Sequence, residues 1–200
     1  GEAVILLIAI FSGMTLPLYP VQLLWINMMT AILLGLMLVF EPKEKNLMQR
    51  PPRDPKEPIL THDLLMRIGL VTLLMVCGAY WLFVNAQRAP EVSLEEARTM
   101  VVNLIVVVEI FYLFNCRSLT RSIFTTNPFS NLWVIGGSLA MIGAQLLFTY
   151  SPLMNRWFKS APIESNDWLQ IIGIALGIFI IVEIEKWIRR HLSTNKRKIV

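Results

Sequence analysis

Histidine and cysteine are scarce in this chain, which has 200 residues and two of each. Zinc and copper sites are built mainly from clusters of these residue types, and no such cluster is present in the sequence to suggest one. Cys77 lies inside an apolar run and Cys116 lies at the end of another, and nothing in the sequence supports a disulfide between them. Any metal site in this chain would therefore rely on oxygen ligands.

The sequence also lacks the motifs of soluble enzymes. It contains no phosphate-binding GxxxxGK[S/T] loop, no GxSxG nucleophile motif and no HExxH zinc motif. We therefore expect that this segment alone is not an enzyme and cannot hydrolyse ATP. The net charge of +4 is modest, and because the basic residues serve membrane orientation, a nucleic-acid partner is not expected.

Long apolar runs are abundant. Hydrophobic residues make up 55% of the chain, against roughly 45–50% in a soluble domain, and a run of about 20 of them spans a bilayer as a helix. Six such runs occur, at 2–16, 21–40, 64–84, 99–116, 131–151 and 168–188. They predict an all-α membrane protein, a bundle of six transmembrane helices in three hairpins. Because apolar sequence begins at once after Gly1, we interpret the first helix as truncated.

The basic residues predict the orientation of this bundle. Segment 41–63 is rich in proline and in charges of both signs, which predicts an extended, solvated loop. If 41–63, 117–130 and the C-terminal tail share one side, 14 of the 18 Lys and Arg residues lie there. Because basic residues concentrate on the cytoplasmic side, we predict that both ends are cytoplasmic. Residues 1–188 then form the bundle with its cytosolic loop, and 189–200 form a basic cytosolic tail.

A few polar side chains interrupt the apolar runs. A charge at the centre of a bilayer costs about 2.5–3.5 kcal/mol on insertion scales, so such residues often have a function. Glu109 lies in mid-span, Glu2 opens the first span, and Asn27 and Thr30 lie on one face of the second. Their carboxylate, amide and hydroxyl oxygens are the ligands that hard cations need. These four residues are the candidate cation ligands.

Each of the candidates also has a purely structural interpretation. Thr30 can bond to the backbone of its own helix, Asn27 can join two helices, and Glu109 can be a protonated structural residue. The sequence alone leaves these alternatives open.

Other polar or small residues in the spans are predicted to have packing roles. Asn103 and Gln145 are interpreted as packing residues. Glu183 lies near the inner interface, one turn from Lys186, which predicts an ion pair or snorkelling. The GxxxG pattern at 173–177 would allow a close approach between two helices, although many such pairs merely pack.

The second span and its loop resemble a known family. The stretch PVQLLWINMMT at 20–30, with FEP at 40–42 and MQRPPRDPKEP at 48–58, resembles the sixth membrane helix and following cytosolic loop of calcium-transporting P-type ATPases. Gly1-Glu2 resembles the ion-binding turn of the fifth helix in that family, and VVEI at 107–110 resembles the eighth. The chain thus resembles the C-terminal membrane half, from the fifth to the tenth helix, of a prokaryotic pump of this kind.

The resemblance implies a role for the four candidates. Glu2, Asn27, Thr30 and Glu109 match cation ligands, with calcium as the first candidate ion. ATP and magnesium would bind in cytosolic domains outside this chain, where an aspartate is phosphorylated. The expected partners are the lipid bilayer, upstream membrane helices and the phosphorylation domain of the same protein, which loop 41–63 would contact. The expected location is the bacterial plasma membrane.

One position departs from the family pattern. The family's calcium pumps have an aspartate directly after the threonine, followed by Gly-Leu-Pro, whereas this chain has Ala31-Ile-Leu-Leu-Gly35. An alanine cannot ligate an ion, so the resemblance implies the loss of one of two calcium sites. Manganese, sodium and protons stay open as alternative ions.

Two readings from other classes are also consistent with the apolar runs. A six-helix secondary transporter or channel would need no ATP, and a membrane scaffold would use its polar residues for packing alone. A DKTGT phosphorylation motif a few hundred residues upstream would distinguish the pump from both.

Overall fold

The computed structural model describes residues 1–42, 62–117 and 131–197. Within these ranges the chain is helical and contains no β-strand, which confirms the all-α prediction. The helices are α1 (Glu2–Phe11), α2 (Pro20–Thr30), α3 (His62–Arg88), α4 (Leu94–Cys116), α5 (Leu132–Tyr150), α6 (Pro152–Phe158) and α7 (Ser165–Arg197). A π turn (Ala31–Gly35) and a 3₁₀ turn (Leu36–Phe40) continue α2 without a break.

Each of the six predicted spans coincides with a helix. Four helices of the described part are long and apolar enough to cross a membrane: Pro20–Phe40, Leu64–Arg88, Leu94–Cys116 and Leu132–Tyr150. The other two predicted spans coincide with the ten-residue α1 and with the central part of α7. Loop 41–63 and loop 117–130 fall almost entirely outside the described residues, so the cytoplasmic location of both ends stays a prediction.

The first helix ends earlier than the apolar run that predicted it. Gly13 has a φ of 63°, a left-handed conformation that glycine adopts without strain. Its amide donates to Ile10, and the Met14 amide donates to Ala9 over 3.0 Å. This pair of hydrogen bonds is a Schellman motif, which ends a helix regardless of how apolar the following residues are.

The fourth helix, by contrast, begins five residues before the predicted span. Ser93 accepts a hydrogen bond from the Glu96 amide, and the Glu96 carboxylate accepts one from the Ser93 amide. This capping box starts α4 at Leu94. Because α3 also extends to Arg88, the gap between the predicted spans 64–84 and 99–116 shortens to a few residues.

The segment between the predicted spans 131–151 and 168–188 contains a short helix that was not predicted. Pro152 occupies the first turn of α6, where its missing amide costs nothing. Lys159 ends this helix in the left-handed conformation, with a φ of 52°. At the other end of the chain, α7 continues as far as Arg197, so the predicted tail begins as a helical extension.

Helix α4 lies at the centre of the bundle. It packs against α2, α3, α5 and α7, and its consecutive residues 101–106 are fully buried. Residues that follow one another on a helix point in different directions, so burial of all of them places protein on every side. The helix that carries Glu109 is therefore the one around which the others are arranged.

The GxxxG pattern at 173–177 makes no close helix contact within the described part of the chain. A Cβ atom at Gly173 or Gly177 would meet no described atom within 4 Å. Helix α7 instead approaches α3 at Gly78, where an added Cβ would lie 2.9 Å from Ile174 Cγ2. The pattern identified a helix surface that permits contact, but the neighbouring helix packs elsewhere.

Candidate cation site

Two of the four candidates meet between the first two helices. Glu2 lies in the first turn of α1, and Asn27 lies in the last turn of α2. Asn27 Nδ2 donates to Glu2 Oε2 over 2.9 Å and to the Leu23 carbonyl over 3.1 Å. The amide nitrogen of Asn27 is thus occupied by hydrogen bonds, which leaves its carbonyl oxygen as the atom available to a ligand.

Glu109 completes the cluster from the central helix. Its carboxyl group lies next to that of Glu2, and Thr30 lies beside it. Glu109 Oε2 is buried and has no hydrogen-bond partner among the described residues. A buried oxygen without a partner is costly unless a ligand, an ion or water satisfies it. The structure therefore brings the four predicted residues together around an unsatisfied oxygen.

The backbone leaves regular α geometry directly after Thr30. The π turn occupies Ala31–Gly35, and the 3₁₀ turn follows to Phe40. Neither glycine nor proline is present at 31–34 to break the helix. Single π turns inside helices are frequently found at functional sites. The irregular turn is thus present without the Gly-Leu-Pro segment of the family pattern.

The cluster lies at the edge of the described bundle. Asn27 and Ala31 are exposed, while Glu2, Thr30 and Glu109 are partly buried. Large apolar side chains beside Asn27 are also exposed on this face of α2: Leu24, Met28 and Ile32. Within the described ranges, no three His, Cys, Asp or Glu side chains form a group able to hold a metal ion. Two carboxylates, one amide and one hydroxyl are what this chain contributes.

Comparison with known proteins identifies the chain. Residues 15–188 match the family described as "Cation transporting ATPase, C-terminus". The chain belongs to this family. The matched range includes Asn27, Thr30 and Glu109, and it begins after Glu2.

Three relatives illustrate the membership. The chain is 51% identical over 182 residues to the probable cation-transporting ATPase F of Mycobacterium tuberculosis. The aligned region covers 91% of this chain and 20% of the relative. It is 34% identical over 182 residues to the calcium-transporting ATPase of Bacillus subtilis, covering 88% and 20% respectively. It is 33% identical over 175 residues to a cation-transporting ATPase of Synechocystis, covering 84% and 19%. The chain thus spans about a fifth of the length of these ATPases.

The other polar residues of the spans have the packing roles that were predicted. Asn103 Nδ2 donates to Thr149 Oγ1 over 3.1 Å and joins α4 to α5. Gln145 Oε1 accepts a hydrogen bond of 3.3 Å from Trp25 Nε1. The Glu183 carboxylate forms the predicted ion pair, with its Oε1 atom 3.0 Å from a buried lysine nitrogen in the next turn. None of these three contacts involves the cation cluster.

A second polar cluster, outside the candidate cation site, was missed by sequence reasoning. Arg117 binds both oxygens of the Glu41 carboxylate over 3.0–3.1 Å, and Asn131 Nδ2 donates to Glu41 Oε2 over 2.8 Å. These contacts join the ends of α2, α4 and α5 at the point where loop 41–63 begins. Arg117 begins segment 117–130, which the distribution of basic residues predicts to be cytoplasmic. Its pairing with a residue 76 positions away has no local signal.

Proposed function

We propose that this chain is the cation-binding part of the membrane domain of an ATP-driven cation pump. The observation that carries the proposal is the meeting of Glu2, Asn27, Thr30 and Glu109, contributed by three helices. Adjacent carboxylates repel each other, and a bound cation would relieve that repulsion. The unpartnered oxygen of Glu109 is a ready ligand, and oxygen donors of these types suit a hard cation.

Calcium is the ion that we propose first. Carboxylate, amide and hydroxyl oxygens are typical calcium ligands, and the relative from Bacillus subtilis is called a calcium-transporting ATPase. Other relatives are called cation-transporting without a stated ion. Manganese, sodium and protons are therefore the comparison ions in any test.

Upstream membrane helices would complete the site. Calcium takes 6–8 oxygen ligands, more than the four side chains of this chain supply. The exposed face of Asn27 and its apolar neighbours is suited to covering by helices from the remaining four fifths of the protein. ATP and magnesium would bind in that remaining part, in the cytosolic domains.

Loop 41–63 would transmit phosphorylation to the cation site. It follows the irregular half of α2, whose last regular turn holds Asn27 and Thr30. A displacement of the loop would therefore reach the site through one continuous helix. We propose a bacterial plasma membrane location with this loop and both ends of the chain in the cytoplasm.

An ion screen on the full-length protein tests the proposal. ATP hydrolysis and ATP-dependent phosphorylation are measured against calcium, manganese, sodium, magnesium and proton concentration. We expect stimulation by one of these ions, with calcium first. Cation uptake that proceeds in vesicles without ATP, driven by a gradient alone, would favour a secondary transporter instead.

Asn27→Ala should weaken cation binding. The substitution removes one ligand oxygen and the hydrogen bond to Glu2, so the cation concentration for half-maximal phosphorylation should rise by about tenfold, or about 1.4 kcal/mol. Asn103→Ala is the matched control, because it removes an asparagine from the same bundle that contacts Thr149 instead. An equal change of cation dependence in both variants would remove Asn27 from the site.

The position of Ala31 predicts the stoichiometry. A methyl group at the start of the π turn brings no oxygen to the cluster, so we expect one cation bound for each phosphorylation site. Equilibrium binding of radioactive calcium to the purified full-length protein, compared with the maximal amount of phosphorylated protein, measures this ratio. A ratio of two would show that other groups replace the missing aspartate.

A further inference from the structure

The first half of α5 packs along the irregular turns that continue α2, Ala31–Gly35 and Leu36–Phe40. Trp133 stacks on Phe40, with ring centroids 4.9 Å apart. Asn131 Nδ2 donates to the Met37 carbonyl over 3.4 Å. Helix α5 thus contacts the 3₁₀ turn of α2 at two positions, one turn of helix apart along α2.

The closest approach between these elements occurs at Gly137. A Cβ atom there would overlap the Leu33 carbonyl oxygen and would lie 2.6 Å from Met37 Cγ. Leu33 lies in the middle of the π turn. Because the principal obstacle is a backbone atom, a side-chain rotation cannot make room for a methyl group. Any larger residue at Gly137 would displace the π turn itself.

The regular half of α2 is held separately. Trp25 donates to Gln145 and stacks on Phe148, with ring centroids 5.5 Å apart. Both partners lie in the second half of α5, two to three turns beyond Gly137. These contacts oppose a movement of α2 away from α5 as a unit. A displacement at Leu33 that leaves the Trp25 contacts in place would bend the segment between Trp25 and Leu33, which contains Asn27 and Thr30.

We propose that Gly137 is a positioning residue for the cation site. Its missing side chain lets the π turn pack against α5. This packing determines the positions of the Thr30 hydroxyl and the Asn27 side-chain oxygen relative to Glu109. The inference rests on the proposed function, since it assigns Gly137 a role at the same site. Gly137 touches no cation itself.

The test compares two glycine-to-alanine variants of the full-length protein. Gly137→Ala should raise the cation concentration for half-maximal phosphorylation by about tenfold and leave nucleotide binding unchanged. Gly136→Ala is the matched control, because an added Cβ there meets no described atom within 4 Å and the change in helix propensity is the same. An unchanged cation dependence in Gly137→Ala, or an equal shift in Gly136→Ala, would overturn the proposal.

A second variant keeps the test decisive if Gly137→Ala does not fold. Met37→Ala removes the side chain that faces Gly137 and loosens the same contact, so it should raise the half-saturating concentration in the same direction. A cation dependence equal to wild type would count against the proposal. Glu109→Gln distinguishes failure of the Gly137 proposal from failure of the proposed function. If Glu109→Gln shifts the cation dependence and the Gly137 and Met37 variants do not, only the role of Gly137 is disproved. If none of them shifts it, the proposed function fails.

Discussion

Replacing Glu109 with glutamine in the full-length protein is expected to raise the half-saturating cation concentration by about 100-fold, or about 2.7 kcal/mol. Glutamine keeps the shape of the side chain and removes one of the two carboxylates of the cluster. Cation affinity depends strongly on the number of charged ligands, and the lost charge belongs to the buried oxygen that lacks a partner. Phosphorylation by ATP, measured against cation concentration, gives the shift.

Glu183→Gln is the matched control for this substitution. It makes the same change in another span, where the carboxylate pairs with Lys186 instead of facing the cluster. We expect an altered thermal stability and an unaltered cation dependence. If Glu109→Gln leaves the half-saturating concentration unchanged while the control behaves as expected, Glu109 is a structural residue and not a ligand.

Arg117→Gln is expected to make the protein less stable and to lower its maximal turnover. The Arg117 side chain is 3% exposed and binds the Glu41 carboxylate through two nitrogens. Breaking a buried pair by removing one partner costs about 3–5 kcal/mol, and we expect a smaller loss here because the Glu41 side chain is 23% exposed and keeps its hydrogen bond from Asn131. The half-saturating cation concentration should change by about twofold or less, since separated sites couple weakly. Thermal inactivation and cation titration of the full-length protein measure the two effects.

A double-mutant cycle with Glu41→Gln assigns the loss to this pair. The variant that carries both substitutions should lose less free energy of unfolding than the two single variants lose together, because no unpaired charge remains. Strictly additive losses would show that Arg117 acts through other neighbours. An unchanged turnover in Arg117→Gln would show that the contact between Glu41 and Arg117 is not needed for loop 41–63 to act on the cation site.

The sequence indicated the four candidate residues because of where they lie along the spans. Glu109 stands in a run of valine and isoleucine, and a carboxylate inside a membrane span is costly, so such residues often have a function. Glu2 was singled out by its place at the start of the first span, and the family resemblance supported it through the fifth-helix motif. What the pattern could not state is that Asn27 and Glu2 lie 2.9 Å apart, since that distance depends on how two helices rotate against each other.

Helix ends were harder to predict than helix centres. An apolar run shows that a segment enters the membrane, but the Schellman motif at Gly13 and the capping box at Ser93 decide where the helix stops or starts. Both motifs have sequence signals, a glycine and the spacing of Ser93 and Glu96. They were outweighed by hydrophobicity, which extends past one end and falls short of the other.

Sequence alone determined which segments are membrane helices and which oxygen-bearing side chains lie within them, because lipid excludes unsatisfied polar groups wherever they occur along the chain. Tertiary structure decided which glycine matters. Gly173 and Gly177 fit a familiar pattern but have no described atom within 4 Å of an added Cβ, whereas Gly137 fits none and meets a backbone carbonyl of another helix. A close approach requires space on both partners at the same depth, and only the packed bundle specifies which surfaces face each other.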